Sequence, residues 1–116
     1  MNMDEILKQT LLYDFYGELL TAHQKEIYEQ VVLEDYSLSE VAEAAGISRQ
    51  GVHDLVKRCS KTLEGYESRL HLVERFMSVK QKVHEINTLL EDYGNQDTEE
   101  LMARIRQLSS EIIEEL

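Results

Sequence analysis

The sequence predicts an all-α fold, and three observations support this prediction. The chain of 116 residues contains no proline and only five glycines, which is typical of long helices joined by short turns. Apolar residues recur at steps of three and four along most of the chain, as one face of an α-helix requires. No segment shows the alternation of apolar and polar residues that indicates a strand.

Two helices are predicted before residue 35. The first covers residues 4–18, because apolar residues recur at i+4 from Leu7 to Leu19. The tetrapeptide Thr21-Ala22-His23-Gln24 has the pattern of a capping box, in which the threonine hydroxyl accepts from a free amide and the glutamine reaches back. A second helix therefore begins there and runs to about Glu34.

Residues 38–57 form the most informative segment. Ser37-Leu38-Ser39-Glu40 has the pattern of a second capping box, which begins a short helix over residues 38–45. Gly46 follows, which can adopt the positive φ of a tight turn, and Ser48 caps the next helix. This order of helix, turn and helix predicts a helix-turn-helix motif. Small or apolar residues are needed where the two helices cross. The residues assigned to this core are Leu38, Val41, Ala42, Ala45, Gly46, Ile47, Val52 and Leu55.

The second helix of the motif has no clear end in the sequence. Apolar residues continue at steps of four and three as far as Tyr93, which predicts one long helix, or two nearly continuous ones, with a coiled-coil-like seam. Gly65 is the favoured point of interruption. Gly94-Asn95-Gln96-Asp97 is the clearest turn, and a last helix follows it, so a C-terminal antiparallel hairpin is predicted. We divide the chain into a helix-turn-helix domain over residues 1–70 and a helical extension over residues 71–116.

The net charge of −11 conceals three segments of different sign. Residues 1–48 carry two basic and ten acidic residues, and residues 83–116 carry two basic and nine acidic residues. Residues 49–82, between them, carry eight basic and four acidic residues. Such asymmetry concerns partners rather than fold, and the positive segment contains the second helix of the motif.

The outer face of that second helix is the predicted nucleic-acid interface. A recognition helix enters the major groove by its N-terminal residues, where Arg49 is suited to guanine and Gln50 to adenine. Basic residues further along suit phosphates. The predicted contact residues are Ser48, Arg49, Gln50, His53, Lys57, Arg58 and Lys61. The alternative is a solvated helix face, and the acidity elsewhere opposes DNA binding by a monomer at physiological salt.

The sequence predicts no catalytic, metal or cofactor site, and therefore no enzyme. The four histidines lack metal-ligand spacing, and no nucleophile elbow or phosphate loop is present. The single cysteine, Cys59, falls on the apolar seam and is predicted to be a core residue. No apolar run reaches the roughly 20 residues of a membrane helix, and the N-terminus does not have the pattern of an export signal. A cytoplasmic location without a membrane partner is expected.

Several short segments between residues 10 and 72 together resemble a known family. These segments are Leu19-Leu20-Thr21 with Gln24, Asp35 to Ala42, Gly46 to Gln50, Lys57-Arg58, Leu63-Glu64, Tyr66-Glu67 and Leu70 to Leu72. They resemble the YlxM family of small bacterial helix-turn-helix proteins, whose motif is similar to region 4 of sigma factors. The resemblance implies a regulatory role, an association with the signal recognition particle pathway, and a nucleic-acid face at Ser48, Arg49, Gln50, Lys57 and Arg58. Gly51 and His53 depart from the alanine and the aromatic residue expected at those positions.

Three functions stay open at this point. The first is a non-enzymatic regulator that binds nucleic acid, with DNA favoured over RNA. The second is an interaction component that binds the GTPase of the signal recognition particle, or its RNA. The third is a helical scaffold with a vestigial motif. The seam closes either within one chain or between two copies in a homodimer through residues 66–116.

Overall fold

The computed structural model describes residues 3–92, 94 and 97–116, and within these ranges every regular element is helical. A 3₁₀ turn (Gly17–Leu19) follows the first helix, and a π-helical segment (Glu29–Leu33) continues the second. The α-helices are α1 (Met3–Tyr16), α2 (Ala22–Tyr28), α3 (Leu38–Ala45), α4 (Arg49–Leu70), α5 (Leu72–Glu91) and α6 (Thr98–Glu115). The predicted all-α fold is confirmed.

The helix ends around the motif follow the predicted local chemistry. Thr21 and Gln24 form the capping box of α2, with both reciprocal hydrogen bonds present. The Ser37 hydroxyl accepts from the amide of Glu40 at the start of α3. Gly46 ends that helix with a φ of 71°, in the left-handed region that glycine tolerates. These caps depend on neighbouring residues only, which explains why the sequence predicts them well.

The expected interruption at Gly65 is wrong. The helix α4 continues through Gly65 and ends at His71, whose φ is 56° and whose amide bonds to the carbonyl of Glu67. Glycine keeps the backbone N–H that a helix needs, and it destabilises an exposed part of a helix by only about 1 kcal/mol relative to alanine. The packing of the buried Leu63 outweighs this small penalty. Gly94 has a φ of 102° in the predicted turn, whereas Tyr93, Asn95 and Gln96 lie outside the described residues.

The chain forms two compact units, of which the first ends at His71 and the second begins at Leu72. We call them the N-terminal unit and the hairpin unit. None of the helices in the described ranges has the length and apolar character needed to cross a membrane.

The motif is held together by a small cluster where α2, α3 and α4 meet. Ile27, Val41, Ala42 and Val52 are buried there. Partly buried apolar residues surround them, namely Val31, Leu38, Leu55 and Val56. Burial of these side chains sets the angle between α3 and α4, because a close-packed core tolerates little sliding. The cluster thus fixes the direction in which α4 projects.

Three residues assigned to this core lie at the surface instead, and one of them, Gly46, forms the turn between the two helices. Ala45 is exposed beside an open cavity that also touches His23 and Gln30. Ile47 follows the left-handed Gly46, is 38% exposed, and lies over the first turn of α4 near Gly51. Apolar periodicity marks a helix face, but no neighbouring element among the described residues covers the last turn of α3 fully.

Aromatic contacts connect α1 to the rest of the N-terminal unit. The buried Tyr16 donates its hydroxyl to Glu67 Oε1 at 2.6 Å. Tyr13 stacks on Tyr28 with 5.5 Å between ring centroids and donates to Glu29. Cys59 is fully buried, as predicted for a core residue, and burial raises the pKa of its thiol. The Tyr16 contact therefore joins α1 to α4, whereas the Tyr13 contacts join α1 to α2 and the π-helical segment.

The hairpin unit consists of α5 and α6, packed antiparallel. Leu101 and Leu108 of α6 are buried. The ion pair between Arg104 Nη2 and Glu85 Oε1 measures 2.7 Å, while the Ser78 hydroxyl donates to Glu115 at 2.8 Å. Early residues of α5 therefore face late residues of α6, which confirms the predicted antiparallel hairpin.

We expect Glu115 to make the stability of the hairpin unit depend on acid pH. Hydrogen bonds from Lys82 and then Ser78 lower the pKa of its carboxyl. Because the pKa of Glu115 is lower in the folded than in the unfolded state, these hydrogen bonds stabilise the unit fully at pH values above the ordinary pKa of a carboxyl group. The contribution disappears as the pH falls through the lowered folded value. Glu115→Gln should remove this part of the pH dependence in urea unfolding, whereas its exposed neighbour Glu114→Gln should retain it. Equal pH slopes for both variants would contradict the assignment.

Candidate nucleic-acid interface

The N-terminal half of α4 displays the predicted contact residues. Each residue of this set is exposed to solvent, and none lies beneath a neighbouring helix: Ser48, Arg49, Gln50, His53, Lys57, Arg58 and Lys61. Ser48 holds the start of the helix, because its hydroxyl accepts from the amide of Gly51 at 2.9 Å. Four basic residues and one acidic residue lie between positions 49 and 61. This half of α4 is therefore an exposed cationic rod.

The seven residues do not form one continuous line. At 3.6 residues per turn, Gln50, Lys57 and Lys61 share the outward side of α4, opposite to its buried residues. Arg58 follows Lys57 by a rotation of about 100° and lies on another flank. The exposed face can therefore present polar groups to a groove in front and a basic group to one side.

Asp54 also lies on this exposed face, although it is not one of the predicted contact residues. Its Oδ1 atom accepts from Gln50 Nε2 at 3.0 Å and lies 3.6 Å from His53 Nδ1. The spacing of Gln50 and Asp54 is i, i+4, which is a known helix-surface pair and could have indicated this bond. Asp54 thus restrains the amide of Gln50, the residue best suited to read adenine.

A depression of about 360 Å³ lies next to the cationic rod. Leu38 at the start of α3 lines it together with Arg49, Gln50 and His53 from α4. One wall is apolar and the others are polar. Sequence reasoning assigned Leu38 only to the core of the motif, because the depression exists only where two separate helices come together.

The presence of glycine, and not the expected alanine, at position 51 has a local steric explanation. A Cβ atom at this position would lie 3.1 Å from the Ser48 hydroxyl that caps α4. An alanine would crowd this hydroxyl. Glycine at this position therefore leaves room for the hydroxyl of Ser48 that caps α4.

Comparison with known proteins places the chain in one family. Residues 3–105 match the family described as "Putative helix-turn-helix protein, YlxM / p13 like". A UPF0122 protein of Thermoanaerobacter sp. is 43% identical over 112 residues, which cover 96% of both chains. A UPF0122 protein of Caldanaerobacter subterraneus is 51% identical over 83 residues, or 72% of this chain and 71% of the relative.

A relative named YlxM supports the same assignment. The UPF0122 protein YlxM of Bacillus subtilis is 36% identical over 108 residues, which cover 93% of this chain and 96% of that protein. The family match over residues 3–105 extends well beyond the helix-turn-helix motif and includes most of the hairpin unit, as do the relatives that cover 93% and 96% of this chain. The chain belongs to the YlxM / p13-like family of helix-turn-helix proteins.

Proposed function

We propose that this protein is a non-enzymatic regulator that binds duplex DNA through the exposed face of α4. The observation that carries the proposal is the cationic rod, which projects from a packed helix-turn-helix with its Arg49 and Gln50 end exposed. A rod of this width fits the major groove, which admits one α-helix. The first turn of α4 then meets base edges, as in other helix-turn-helix proteins.

The residues of the rod divide into two roles. Arg49 presents a planar fork to guanine, and Gln50 presents an amide to adenine, so both contribute to sequence preference. Lys57 and Lys61 lie further along the same side, and Arg58 lies on a flank, so these three neutralise phosphates. His53 contacts the groove between the two groups.

The acidic remainder of the chain restricts how DNA is bound. Residues 1–48 alone carry ten acidic and two basic residues. Their carboxylates have the same negative charge as DNA phosphates and repel them over about 10 Å at moderate ionic strength. The duplex is therefore accepted only on the face of α4. Binding depends strongly on salt, because few phosphates are neutralised against a negative background.

Fluorescence anisotropy with labelled fragments of bacterial genomic DNA tests the proposal at low and at physiological salt. We expect binding at low salt that weakens steeply as salt rises, and loss of preference for particular fragments in the Arg49→Ala/Gln50→Ala double variant. The double variant Arg75→Ala/Gln81→Ala, which changes the same residue types on α5, is the matched control. Absence of binding at low salt would overturn the proposal.

A partner in the signal recognition particle pathway is the second candidate. The strongly acidic surface outside α4 favours it, because such a surface suits a basic protein, and a basic helix also suits structured RNA. Affinity capture from bacterial lysate separates the candidates. Recovery of the particle's GTPase or RNA that survives DNase treatment supports the second candidate, whereas recovery of DNA alone supports the first.

A further inference from the structure

We propose that the depression beside the start of α4 is a subsite for the 5-methyl group of a thymine. The inference rests on the proposed binding of duplex DNA and extends it by assigning a base. It follows from the shape and chemistry of the depression, and from the way in which Gln50 is held at its rim.

The depression combines an apolar wall with polar groups. Leu38 provides the wall from the first residue of α3, while Arg49, Gln50 and His53 approach from α4. The thymine methyl is the apolar group that the major-groove edge of a base pair offers. When α4 enters the groove by its first turn, this opening faces the base edges. A methyl group placed against Leu38 is removed from water, and the burial of its apolar surface is favourable.

The Gln50 amide is restrained at the rim of the depression. One of its two Nε2 hydrogens is donated to Asp54 at 3.0 Å. The second hydrogen and the carbonyl oxygen stay available, and together they match N7 and N6 of adenine. Asp54 is therefore a positioning residue. It also disfavours a phosphate at this rim, because its carboxylate carries the same charge.

The two interactions reinforce each other. Gln50 reads an adenine, and Leu38 reads a thymine methyl within the same short stretch of groove. At this position the interface should therefore prefer a base-pair step of the DNA that contains A·T pairs. A guanine and cytosine step offers no methyl group to the apolar wall.

The test begins with selection of bound duplexes from a randomised DNA library. Each thymine of the selected duplex is then replaced by deoxyuridine, which removes only the methyl group. We expect the affinity of the wild-type protein to fall about fourfold at one thymine position, the change for one buried methyl at ~0.8 kcal/mol. The Leu38→Ala variant should bind the thymine and deoxyuridine duplexes equally.

Leu38 also packs against the core, so two further variants accompany it. Leu38→Met conserves volume and should retain the sensitivity to the methyl group. Leu33→Ala changes an exposed leucine of the same unit and should leave that sensitivity unchanged. Sensitivity of Leu38→Ala equal to that of the wild type would overturn the subsite.

The outcomes also separate the subsite from the proposed function. If the wild type selects a sequence but tolerates deoxyuridine at every thymine, the subsite is wrong and DNA binding stands. If the wild type binds no duplex at low salt, both proposals are wrong.

Discussion

Replacement of Lys57, Arg58 and Lys61 together by glutamine should lower the affinity for duplex DNA on the order of 100-fold at low salt. Each charge that neutralises a phosphate releases a counterion, so removal of that charge lowers both the affinity and its salt dependence. We expect the slope of log K against log salt to become shallower by about 0.9 for each phosphate that is no longer neutralised. All three side chains are exposed, so the fold should be unchanged.

A charge-matched variant distinguishes local binding to phosphates from the general field of the protein. Arg75, Lys80 and Arg106 are exposed basic residues of the hairpin unit, and their replacement by glutamine also removes three positive charges. This control should retain most of the affinity and the original salt slope in anisotropy titrations. Equal reductions of affinity in both triple variants would mean that net charge, and not the face of α4, governs binding.

Truncation of Ile27 to alanine should produce the largest loss of stability among the substitutions considered. Ile27 is 2% exposed and packs against Val41, Ala42 and Val52, where three helices meet. Removal of three buried carbon atoms from such a site costs about 2–5 kcal/mol in the free energy of unfolding. The total free energy of unfolding of a small domain is only about 5–15 kcal/mol, so this loss is a large fraction of it. The variant should therefore hold α3 and α4 less firmly at their native angle and bind DNA more weakly.

Urea unfolding followed by circular dichroism measures this cost. Ile6→Ala is the matched control, since it makes the same chemical change in the N-terminal unit at a side chain that is 41% exposed. We expect the control to cost less than about 1 kcal/mol. If both substitutions had similar effects, the cluster around Ile27 would not be the packed centre of the motif.

Local features of the fold were predictable because local chemistry produces them. Thr21, Ser37 and Ser48 each satisfy a free amide within the next three residues, and Gly46 supplies the left-handed turn. Spacing at steps of three and four was enough for the helices themselves. The end of α4 was not predictable in this way, because packing around Leu63 outweighs the weak preference of Gly65 against a helix.

The candidate site was only partly predictable. Helical periodicity predicts the outward direction of Gln50, Lys57 and Lys61, because these residues lie opposite to the buried Val52 and Cys59. The hydrogen bond of Asp54 to Gln50 depends on side-chain rotamers, although its i, i+4 spacing was visible. The depression at Leu38 joins the starts of two helices, and no pattern within either helix describes it.

The amino-acid sequence by itself determined the helical elements, their caps and the cationic character of α4, because these depend on residues a few positions apart. Tertiary structure decided which apolar residues are covered. It buried Ala42 and Val52 but left Ala45 and Ile47 at the surface. It also placed Leu38 beside Gln50 at the rim of a depression. The physical reason is that burial and concave surfaces require contact between separate elements, and periodicity along one element cannot specify its neighbours.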